Sequence, residues 1–369
     1  MKKILSLAVL LMGLVVIDSL AQVETILEHN IPPGWRYKSF AVSRSDIKAL
    51  YFLPVLPDEV LLTEDHPGRL QVFNEKNNLI ADLIIEDNYR LSKISRNDRI
   101  ILCDGEESGC YHIKVLDPSG KEMYTTKAEG RWPVTAPYGK DIALVPGQED
   151  VGPVSIIDED TGREKARISP PTGKDKTFRI AAFFPLGEDG LYVQGVGATL
   201  CLKSYLHINE VYWKIQDIGG NIKSGVFLND EYLAIRYGTD DFRDHKFMAG
   251  VAIVEWRTGN ILFKKKGFQT NGVQDRWFSQ LESLSVLVNN DSLYFYGNPN
   301  DVLRLPRRSD GRNGWDENRS VKSKFSPGQI GEITLGGKLI KPEIHAGKYV
   351  ITDFGDAVRI EKSKFVDVR

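Results

Sequence analysis

The chain has 369 residues, which is enough for more than one domain of ordinary size. Its 48 basic and 50 acidic side chains give a net charge of −2, which argues against a general nucleic-acid binder. Aromatic residues make up 10% of the chain, a share that suits a strand-rich core. Beyond residue 21, no long stretch carries the apolar i, i+3, i+4, i+7 pattern, so little helix is expected.

Residues 1–21 have the pattern of a secretory signal peptide. Lys2 and Lys3 give a positive start, residues 4–17 form a 14-residue run without charge, and Ser19-Leu20-Ala21 fits a small-x-small cleavage site. The run is shorter than the roughly 20 apolar residues of a membrane span, which disfavours an uncleaved anchor. No cysteine for lipid attachment follows it. We therefore expect cleavage after Ala21 and a secreted or periplasmic mature chain without stable membrane insertion.

The next feature is a repeated pattern of two alternating apolar runs joined by a tight turn. The second residues of the turns lie 42, 42, 58 and 39 positions apart, at 78, 120, 162, 220 and 259. A period near ~40–50 residues with several strands per unit is typical of a β-propeller. The turns are Asn77-Asn78, Ser119-Gly120, Thr161-Gly162, Gly219-Gly220 and Thr258-Gly259.

Seven blade-like units are expected, with six or eight as alternatives because the last two units are irregular. The last unit is short, and segment 22–46 is expected to supply its missing strand and close the ring. The predicted fold is all-β, a single β-propeller domain of four-stranded blades over residues 22–369. The units cover residues 47–87, 89–130, 131–173, 177–220, 222–268, 276–327 and 330–369.

The turn Asp158-Glu159-Asp160-Thr161-Gly162 resembles the Asp-x-x-Thr-Gly turn of quinoprotein-like propeller repeats. The whole pattern is similar to the broad class of WD40-like and quinoprotein-like repeats, over most of the chain after the signal, and identifies no specific family. Residues 163–166, Arg-Glu-Lys-Ala, stand where quinoprotein repeats carry a tryptophan, and the chain has only six tryptophans. The Gly-His and Trp-Asp signatures of WD40 repeats are missing. The resemblance therefore implies a propeller and opposes a quinone cofactor.

Carboxylates are concentrated in four segments that the pattern places between the second and third strands of a blade. These segments are 63–68, 104–109, 146–152 and 239–247, and in a propeller they share the face opposite the Thr-Gly turns. A rim of one charge sign on a rigid scaffold predicts binding of a cation or a basic partner. The alternative is ordinary solvated turns, since Asp and Gly favour turns in any case. The acidic residues are Glu64, Asp65, Asp104, Glu106, Glu107, Glu149, Asp150, Asp240, Asp241 and Asp244, opposed there by Arg243 and Lys246.

Segment 304–324 is basic and is expected on the other face. A basic loop with one aromatic residue is suited to polyanions, phosphate or an acidic glycan. The alternative is a solvated loop, because few apolar residues are present to offset the entropy of ordering it. Its candidate binding residues are Arg304, Arg307, Arg308, Arg312 and Trp315.

Histidines and carboxylates are the candidate catalytic or metal-binding groups of the chain. The six histidines, His29, His66, His112, His207, His245 and His345, show no metal-ligand spacing such as His-x-x-x-His. Asp240, Asp241, Asp244 and His245 form a candidate Ca²⁺ site through their oxygen ligands, although the alternating Asp pattern of known calcium loops is missing. We predict no cofactor, with Ca²⁺ as the alternative.

Three cysteines occur, and two of them bracket a short loop. Cys103 and Cys110 flank the sequence Asp-Gly-Glu-Glu-Ser-Gly, which in an exported protein predicts a loop-closing disulfide. The alternative is two free thiols too far apart to bridge. Cys201 is expected to be a buried apolar residue.

The leading functional interpretation is an exported propeller that acts as a binding scaffold for another protein or a surface glycan, without catalysis. The alternative is a metal-assisted hydrolase or lyase acting on a sugar or polyanionic substrate at the ring centre. Histidines or carboxylates from several innermost strands converging on one point would favour the enzyme.

Overall fold

The computed structural model is almost entirely β-strand. Its only helical element among the described residues is a short 3-10 turn, Glu317–Arg319. The described residues are 24–56, 66–86, 88–105, 109–135, 141–146, 153–168, 184–186, 190–194, 200–204, 211–215, 218, 221–227, 231–241, 246–265, 285–289, 292–298, 301–325, 333–335, 338–340, 342–345 and 348–367.

Thirty strands follow one another along the described part of the chain. The first sixteen are β1 Thr25–Asn30, β2 Trp35–Val42, β3 Lys48–Pro54, β4 Gly68–Phe73, β5 Leu79–Ile85, β6 Arg90–Ile94, β7 Ile100–Cys103, β8 Cys110–Leu116, β9 Glu122–Thr135, β10 Asp141–Pro146, β11 Val154–Asp158, β12 Glu164–Ile168, β13 Phe184–Leu186, β14 Gly190–Gln194, β15 Leu200–Ser204 and β16 Val211–Ile215. The remainder are β17 Asn221–Phe227, β18 Tyr232–Asp241, β19 Lys246–Glu255, β20 Ile261–Lys265, β21 Ser285–Asn289, β22 Ser292–Asn298, β23 Asp301–Leu305, β24 Val321–Phe325, β25 Ile333–Leu335, β26 Lys338–Ile340, β27 Glu343–His345, β28 Tyr349–Asp353, β29 Ala357–Lys362 and β30 Phe365–Asp367.

The chain forms two compact units, a larger one of residues 32–322 and a smaller one of residues 1–31 and 323–369. In the larger unit the strands pair antiparallel in sequence order. Strands β2 to β5, β13 to β16 and β17 to β20 each form a four-stranded sheet, and β21 pairs with β22, which pairs with β23. Such consecutive four-strand groups are the blades of a propeller.

The longest of the described strands, β9, belongs to two groups at once. Its first half pairs with β8 and its second half with β10, so β6 to β12 form one continuous sheet. Between the halves, Ala128, Glu129 and Gly130 are extra residues opposite Tyr111. Glu129 and Gly130 have φ of 54° and 78°, and such left-handed residues bend a strand at a bulge. The bulge marks the change from one blade to the next.

The repeated turns are built around a side-chain oxygen that accepts backbone hydrogen bonds. Asp158 Oδ1 accepts from the amides of Asp160 and Thr161 at 3.2 and 2.9 Å, and Gly162 follows with φ of 70°. Asp117 and Asn74 use their Oδ1 atoms in the same way before their own turns. This side-chain mimicry of a turn explains why the pattern recurs.

The turn glycines are also required by packing between neighbouring groups. A Cβ at Gly162 would lie 2.4 Å from a ring carbon of Tyr124, and one at Gly259 would lie 2.8 Å from the Trp213 ring. Both aromatic residues lie on the fourth strand of the preceding group. Trp213 Nε1 donates to the carbonyl of Trp256 at 2.6 Å, and Tyr124 Oη donates to that of Asp158 at 3.4 Å. These two outer strands are thus held by the turn of the next group.

The core lies between consecutive groups. One apolar cluster unites residues of β3 and β4, such as Tyr51 and Leu70, with Leu91, Ile100 and Leu102 of β6 and β7. These residues are all buried, and strand β3 is apolar on both faces because it lies inside the sheet.

In the smaller unit, the N-terminal strand joins strands from the other end of the chain. The sheet order is β1-β29-β28-β27, with Thr25 opposite Glu361 and Asn30 opposite Ala357. Arg359 donates two hydrogen bonds to Glu28, at 3.1 and 3.3 Å, across this pair of strands. β24 also pairs with β30, and β25 with β26.

Two predicted boundaries differ from the structure. Residues 35–42, assigned by the sequence to the N-terminal segment, form β2 and pair with β3 through a turn at Ser43–Asp46, where the Ser43 amide donates to the Ile47 carbonyl at 2.8 Å. Gly219-Gly220 lies outside the described residues, but the segment between β16 and β17 connects two sheets and is not a turn within one. Because Gly219-Gly220 is not equivalent to the other turns, the spacing of 58 positions between Gly162 and Gly220 departs from the repeat.

The all-β fold of four-stranded antiparallel blades is confirmed. The number of blades, and a single domain over residues 22–369 closed into a ring, stay predictions.

Candidate binding surface at the disulfide hairpin

The four acidic segments lie where the pattern placed them in strand order. They connect β3 to β4, β7 to β8, β10 to β11 and β18 to β19, each pair being the second and third strands of a group. Most of their carboxylates lie outside the described residues: Glu64, Asp65, Glu106, Glu107, Glu149, Asp150 and Asp244. For these seven residues, the common rim stays a prediction.

The predicted disulfide is present. Cys103 ends β7, Cys110 begins β8, and their Cα atoms are 5.4 Å apart, within the range that a bridge requires. Both residues are buried in the apolar cluster that contains Ile101 and Ile113. The bridge therefore joins the loop to the core of its blade.

Asp104 organises this hairpin and is not a free rim carboxylate. Its Oδ1 accepts from the amides of Tyr111 and His112 at 2.8 and 2.5 Å, and its Oδ2 lies 2.7 Å from His112 Nδ1. Its side chain is only 17% exposed. Both carboxylate oxygens of Asp104 thus make their contacts inside the hairpin. These contacts fix the direction of the backbone after Cys110.

Two large aromatic side chains are exposed beside the bridge. Tyr111 is 61% exposed and Trp132 is 37% exposed. Cys110 pairs with Arg131 in the register of β8 and β9, so Tyr111 and Trp132 each lie one residue beyond this pair, on antiparallel strands that run in opposite directions. Trp132 is also opposite Val145, near the end of β10 that leads into the acidic segment 146–152. We define the hairpin patch as Asp104, Tyr111, His112, Glu129 and Trp132.

Arg131, a buried residue, holds the backbone next to the hairpin patch. Arg131 donates to the Ala128 carbonyl at 2.8 Å, to Ser155 Oγ at 2.7 Å and to Glu129 at 2.9 Å. Burial lowers the pKa of Arg131, and Glu129 opposes that shift. These contacts fix the bulge in β9, while the Glu129 side chain stays 60% exposed at the surface. The patch therefore sits on rigid elements, which favours precise recognition.

The segment predicted as a loop at 239–247 is partly strand. Asp240 and Asp241 end β18, where they pair with Phe247 and Lys246 of β19. Residues 242–245, which include Asp244 and His245 of the calcium prediction, lie outside the described residues. That site stays a prediction.

The basic segment 304–324 is ordered by its own ion pairs. Arg308 donates two hydrogen bonds to Asp310, at 3.2 and 2.7 Å, and these hold the pKa of Asp310 at about 2. Arg312 lies 3.8 Å from the same carboxylate. Lys265 of β20 forms an ion pair with Glu317. Intramolecular pairs thus reduce the free positive charge that the composition indicated.

Trp315 is a core residue and offers no stacking surface to a ligand. It is 2% exposed and meets the Tyr232 ring edge-on at a centroid distance of 5.2 Å. The Arg307 guanidinium lies 4.5 Å from the Trp315 ring centroid and donates to Tyr232 Oη at 2.7 Å. Arg304 lies on β23, beside this cluster in sequence. Binding of polyanions by this segment stays a prediction, without Trp315 as its platform.

Of the described histidines, His29 lies on β1, His345 on β27, His66 just before β4 and His112 in the hairpin patch. His207 and His245 lie outside the described residues. Within the described part of the chain, no group of three or more His, Cys, Asp or Glu side chains is arranged to hold a metal ion.

Sequence reasoning missed both aromatic residues of the hairpin patch. Tyr111 is adjacent to Cys110 and is exposed on β8, between the buried residues Cys110 and Ile113. An aromatic residue at a polar position beside a disulfide was the available signal.

Comparisons with known proteins identify no family. No family model matches the chain, and no curated protein matches it. It is similar to the solved structure of BamB from Moraxella catarrhalis, with 9% identity, a TM-score of 0.41, and coverage of 92% of this chain and 99% of that one. It is also similar to the Cps50 (Swd1) β-propeller domain of Myceliophteria thermophila, with 13% identity, a TM-score of 0.47, and coverage of 90% and 98%. A third similar structure is the Neurospora crassa Pan2 WD40 domain, with 8% identity, a TM-score of 0.45, and coverage of 92% of this chain and 94% of that one.

These neighbours are β-propeller proteins, in agreement with the predicted resemblance to propeller repeats. At such identities and TM-scores they carry no argument about what this chain binds.

No helix among the described residues has the length and apolar character needed to cross a membrane. Residues 1–23, which contain the predicted signal peptide, lie outside the described part.

Proposed function

We propose that the chain is an exported protein-binding scaffold that recognises a basic segment of a partner protein through the hairpin patch. The observation that carries the proposal is the exposure of Tyr111 and Trp132 on strands anchored by a disulfide and a buried arginine. Large exposed aromatic residues on a rigid support are the usual anchors of protein interfaces.

The charge around the patch favours a basic partner. Glu129, three residues before Trp132 in sequence, is 60% exposed, and the sequence places Glu106 and Glu107 in the loop closed by the disulfide. A lysine or arginine placed over an aromatic ring gains cation–π attraction, and nearby carboxylates strengthen the attraction. Surface glycan binding and the hydrolase or lyase alternative stay predictions, because no contact among the described residues favours either.

Binding of an arginine-rich peptide tests the proposal, with a glutamate-rich peptide of equal length as its charge-reversed counterpart. We expect fluorescence anisotropy to show saturable binding of the arginine-rich peptide only, weakening as salt rises. Tyr111→Ala or Trp132→Ala should weaken binding about tenfold or more, the effect of losing an interface anchor. Ile84→Ala is the matched control, since Ile84 is 54% exposed on the outer strand β5. Equal binding by all variants would refute the proposal.

Charge reversal separates the two predicted faces. Replacing Asp240, Asp241 and Asp244 by lysine should weaken binding of the arginine-rich peptide, because a rim of reversed charge repels a cationic ligand. Replacing Arg308 and Arg312 by glutamate should leave that binding unchanged. The acidic working face is wrong if the first change has no effect and the second abolishes binding.

A further inference from the structure

Exposed apolar side chains are concentrated on one outer strand of the larger unit. Seven large hydrophobic side chains are exposed among the described residues, and three of them lie on β5. These are Leu79, Ile80 and Ile84, with exposed fractions of 47%, 39% and 54%. Tyr111 and Trp132 of the hairpin patch are two of the others, and they belong to a different sheet. β5 is therefore a second apolar surface of this unit.

β5 also lacks the charges that protect the other outer strands. It is the last strand of its sheet, so no described strand pairs with its outer edge. The other described fourth strands of the larger unit, which are the first half of β9, β12, β16 and β20, all contain lysine. Lysine on an edge strand opposes pairing with another chain. These lysines are Lys127, Lys165, Lys214, Lys264 and Lys265.

The single charged residue of β5 is compensated within its own sheet. Arg69 of β4 donates two hydrogen bonds to Asp82, at 2.7 and 2.6 Å, and Gln71 donates a third at 3.0 Å. From Ala81 to Ile85 the strand pairs with β4 without a register shift. β5 thus presents a nearly neutral edge seven residues long.

The turn of the next group holds β5 in place. A Cβ at Gly120 would lie 2.4 Å from Leu83 Cδ1 and 3.2 Å from Ala81 Cβ, so this turn packs against both residues. Ala81 and Ile85 belong to the apolar cluster of buried residues described above. Ile84 alternates with Leu83 and Ile85 and lies on the other face, where it stays exposed. The apolar edge is therefore presented by a fixed strand.

We propose that β5 is a self-association site, at which two copies of the chain join their outer edges by antiparallel pairing about a two-fold axis. Such pairing satisfies the outward N–H and C=O groups of both strands and covers their exposed apolar side chains. Because the contact uses the same edge of both copies, association stops at the dimer. The site is separate from the hairpin patch and does not depend on the function proposed there.

Two features favour a second copy over a strand of a different protein. In the smaller unit a strand of this chain already adds to an outer strand, since β30 pairs antiparallel with β24 and places Phe365 opposite Phe325. Like charges directly opposite each other destabilise an antiparallel pair. Asp82 is the one residue of β5 that could meet a like charge, and its pairing with Arg69 compensates it.

Sedimentation velocity over a range of protein concentrations tests this site. Because one seven-residue strand is small beside the ~800 Å² per partner of a stable interface, we expect a reversible monomer–dimer equilibrium. In the double variant Ile80→Lys, Ile84→Lys, dimerisation should weaken about tenfold or more, because lysine on the edge opposes pairing. The matched control is Val55→Lys with Ile261→Lys, which replaces two exposed apolar residues outside β5 and adds the same charge. It should dimerise as the unchanged protein does.

Hydrogen exchange locates the contact without any substitution. Amides of residues 79–85 should exchange more slowly as the protein concentration rises, while those of residues 261–265 in β20 should not change. A chain that stays monomeric at every concentration would overturn the proposal, and so would an equal loss of dimer in the control variant. Protection of β5 only by an added peptide of another sequence would overturn it too, by assigning the edge to a different partner. Thermal unfolding of each variant verifies that it is folded.

Discussion

Glu159 is a buried carboxylate in the turn between β11 and β12. It is 2% exposed, accepts a 2.6 Å hydrogen bond from Asn97, and burial raises its pKa. Because the folded-state pKa lies above the unfolded one, its contribution to stability is present at low pH and lost as pH rises through the folded-state pKa.

We therefore predict that Glu159→Gln removes this loss. The unfolding free energy of the variant relative to the original should increase as pH rises from about 4 to 7. Denaturant unfolding at a series of pH values measures it. Glu164→Gln is the control of opposite sign, because hydrogen bonding to Arg167 lowers the pKa of Glu164. The same slope in both variants would contradict the argument.

A second prediction at the residue scale concerns how Lys93 makes stability depend on pH. Burial lowers its pKa from 10.5 to about 8, so its charged form is disfavoured in the folded state. Stability from this group is full above pH 10.5 and lost as pH falls through 8. Lys93→Gln should raise the unfolding free energy at pH 7 by about 1–3 kcal/mol, with no gain above the unfolded-state pKa. A variant less stable than the original at pH 7 would count against it.

At the scale of elements, the turn glycines separate backbone from packing effects. Gly162 and Gly311 have φ of 70° and 76°, but only Gly162 has a neighbour, Tyr124, where a Cβ would lie. Gly311→Ala should cost about 1–2 kcal/mol for the left-handed backbone alone. Gly162→Ala should cost about 1–3 kcal/mol more, because the Tyr124 ring must move. Unfolding free energies of both variants measure the difference, and equal losses would exclude the packing role.

The disulfide hairpin gives a prediction that links an element to binding. In the chain-entropy model, closing so short a loop stabilises the folded protein by about 2–3 kcal/mol. The double variant Cys103→Ser, Cys110→Ser should therefore lose about 2–3 kcal/mol of unfolding free energy. Binding of the arginine-rich peptide should weaken as well, because Tyr111 directly follows Cys110 and loses the support of the bridge. Cys201→Ser is the control that keeps the bridge. Unchanged stability and binding in the double variant would contradict this account of the hairpin.

At the scale of the molecule, the strand repeat was predictable because turn chemistry and alternation are local. The turns at Asp158 and Asp117 contain their own hydrogen-bond acceptors. The Cys103–Cys110 bond was predictable because the two residues are close in sequence and the chain is expected to be exported. β2 was missed because a bulge at Lys38 breaks its alternation, so that Phe40 follows Tyr37 at a spacing of three residues instead of two. Gly219-Gly220 was misassigned because a glycine pair between sheets has the same sequence appearance as one within a hairpin.

The candidate site was less accessible to sequence reasoning. A carboxylate such as Asp104 has the same sequence signature whether it organises a loop or faces solvent, and only its contacts distinguish the two. Trp315 shows the same limit, because its burial against Tyr232 depends on residues more than eighty positions away in the chain. Tertiary contacts of this kind decide which members of a charged or aromatic segment stay available for binding.

Site-specific photo-crosslinking tests the central claim most directly. A photoreactive phenylalanine analogue replaces Tyr111 in one protein and Ile84 in another, and each is irradiated with the arginine-rich peptide. We predict a covalent adduct from position 111 that the unlabelled peptide competes away, and none from position 84. An adduct from position 84 alone, or equal adducts from both positions, would contradict the assignment of binding to the hairpin patch.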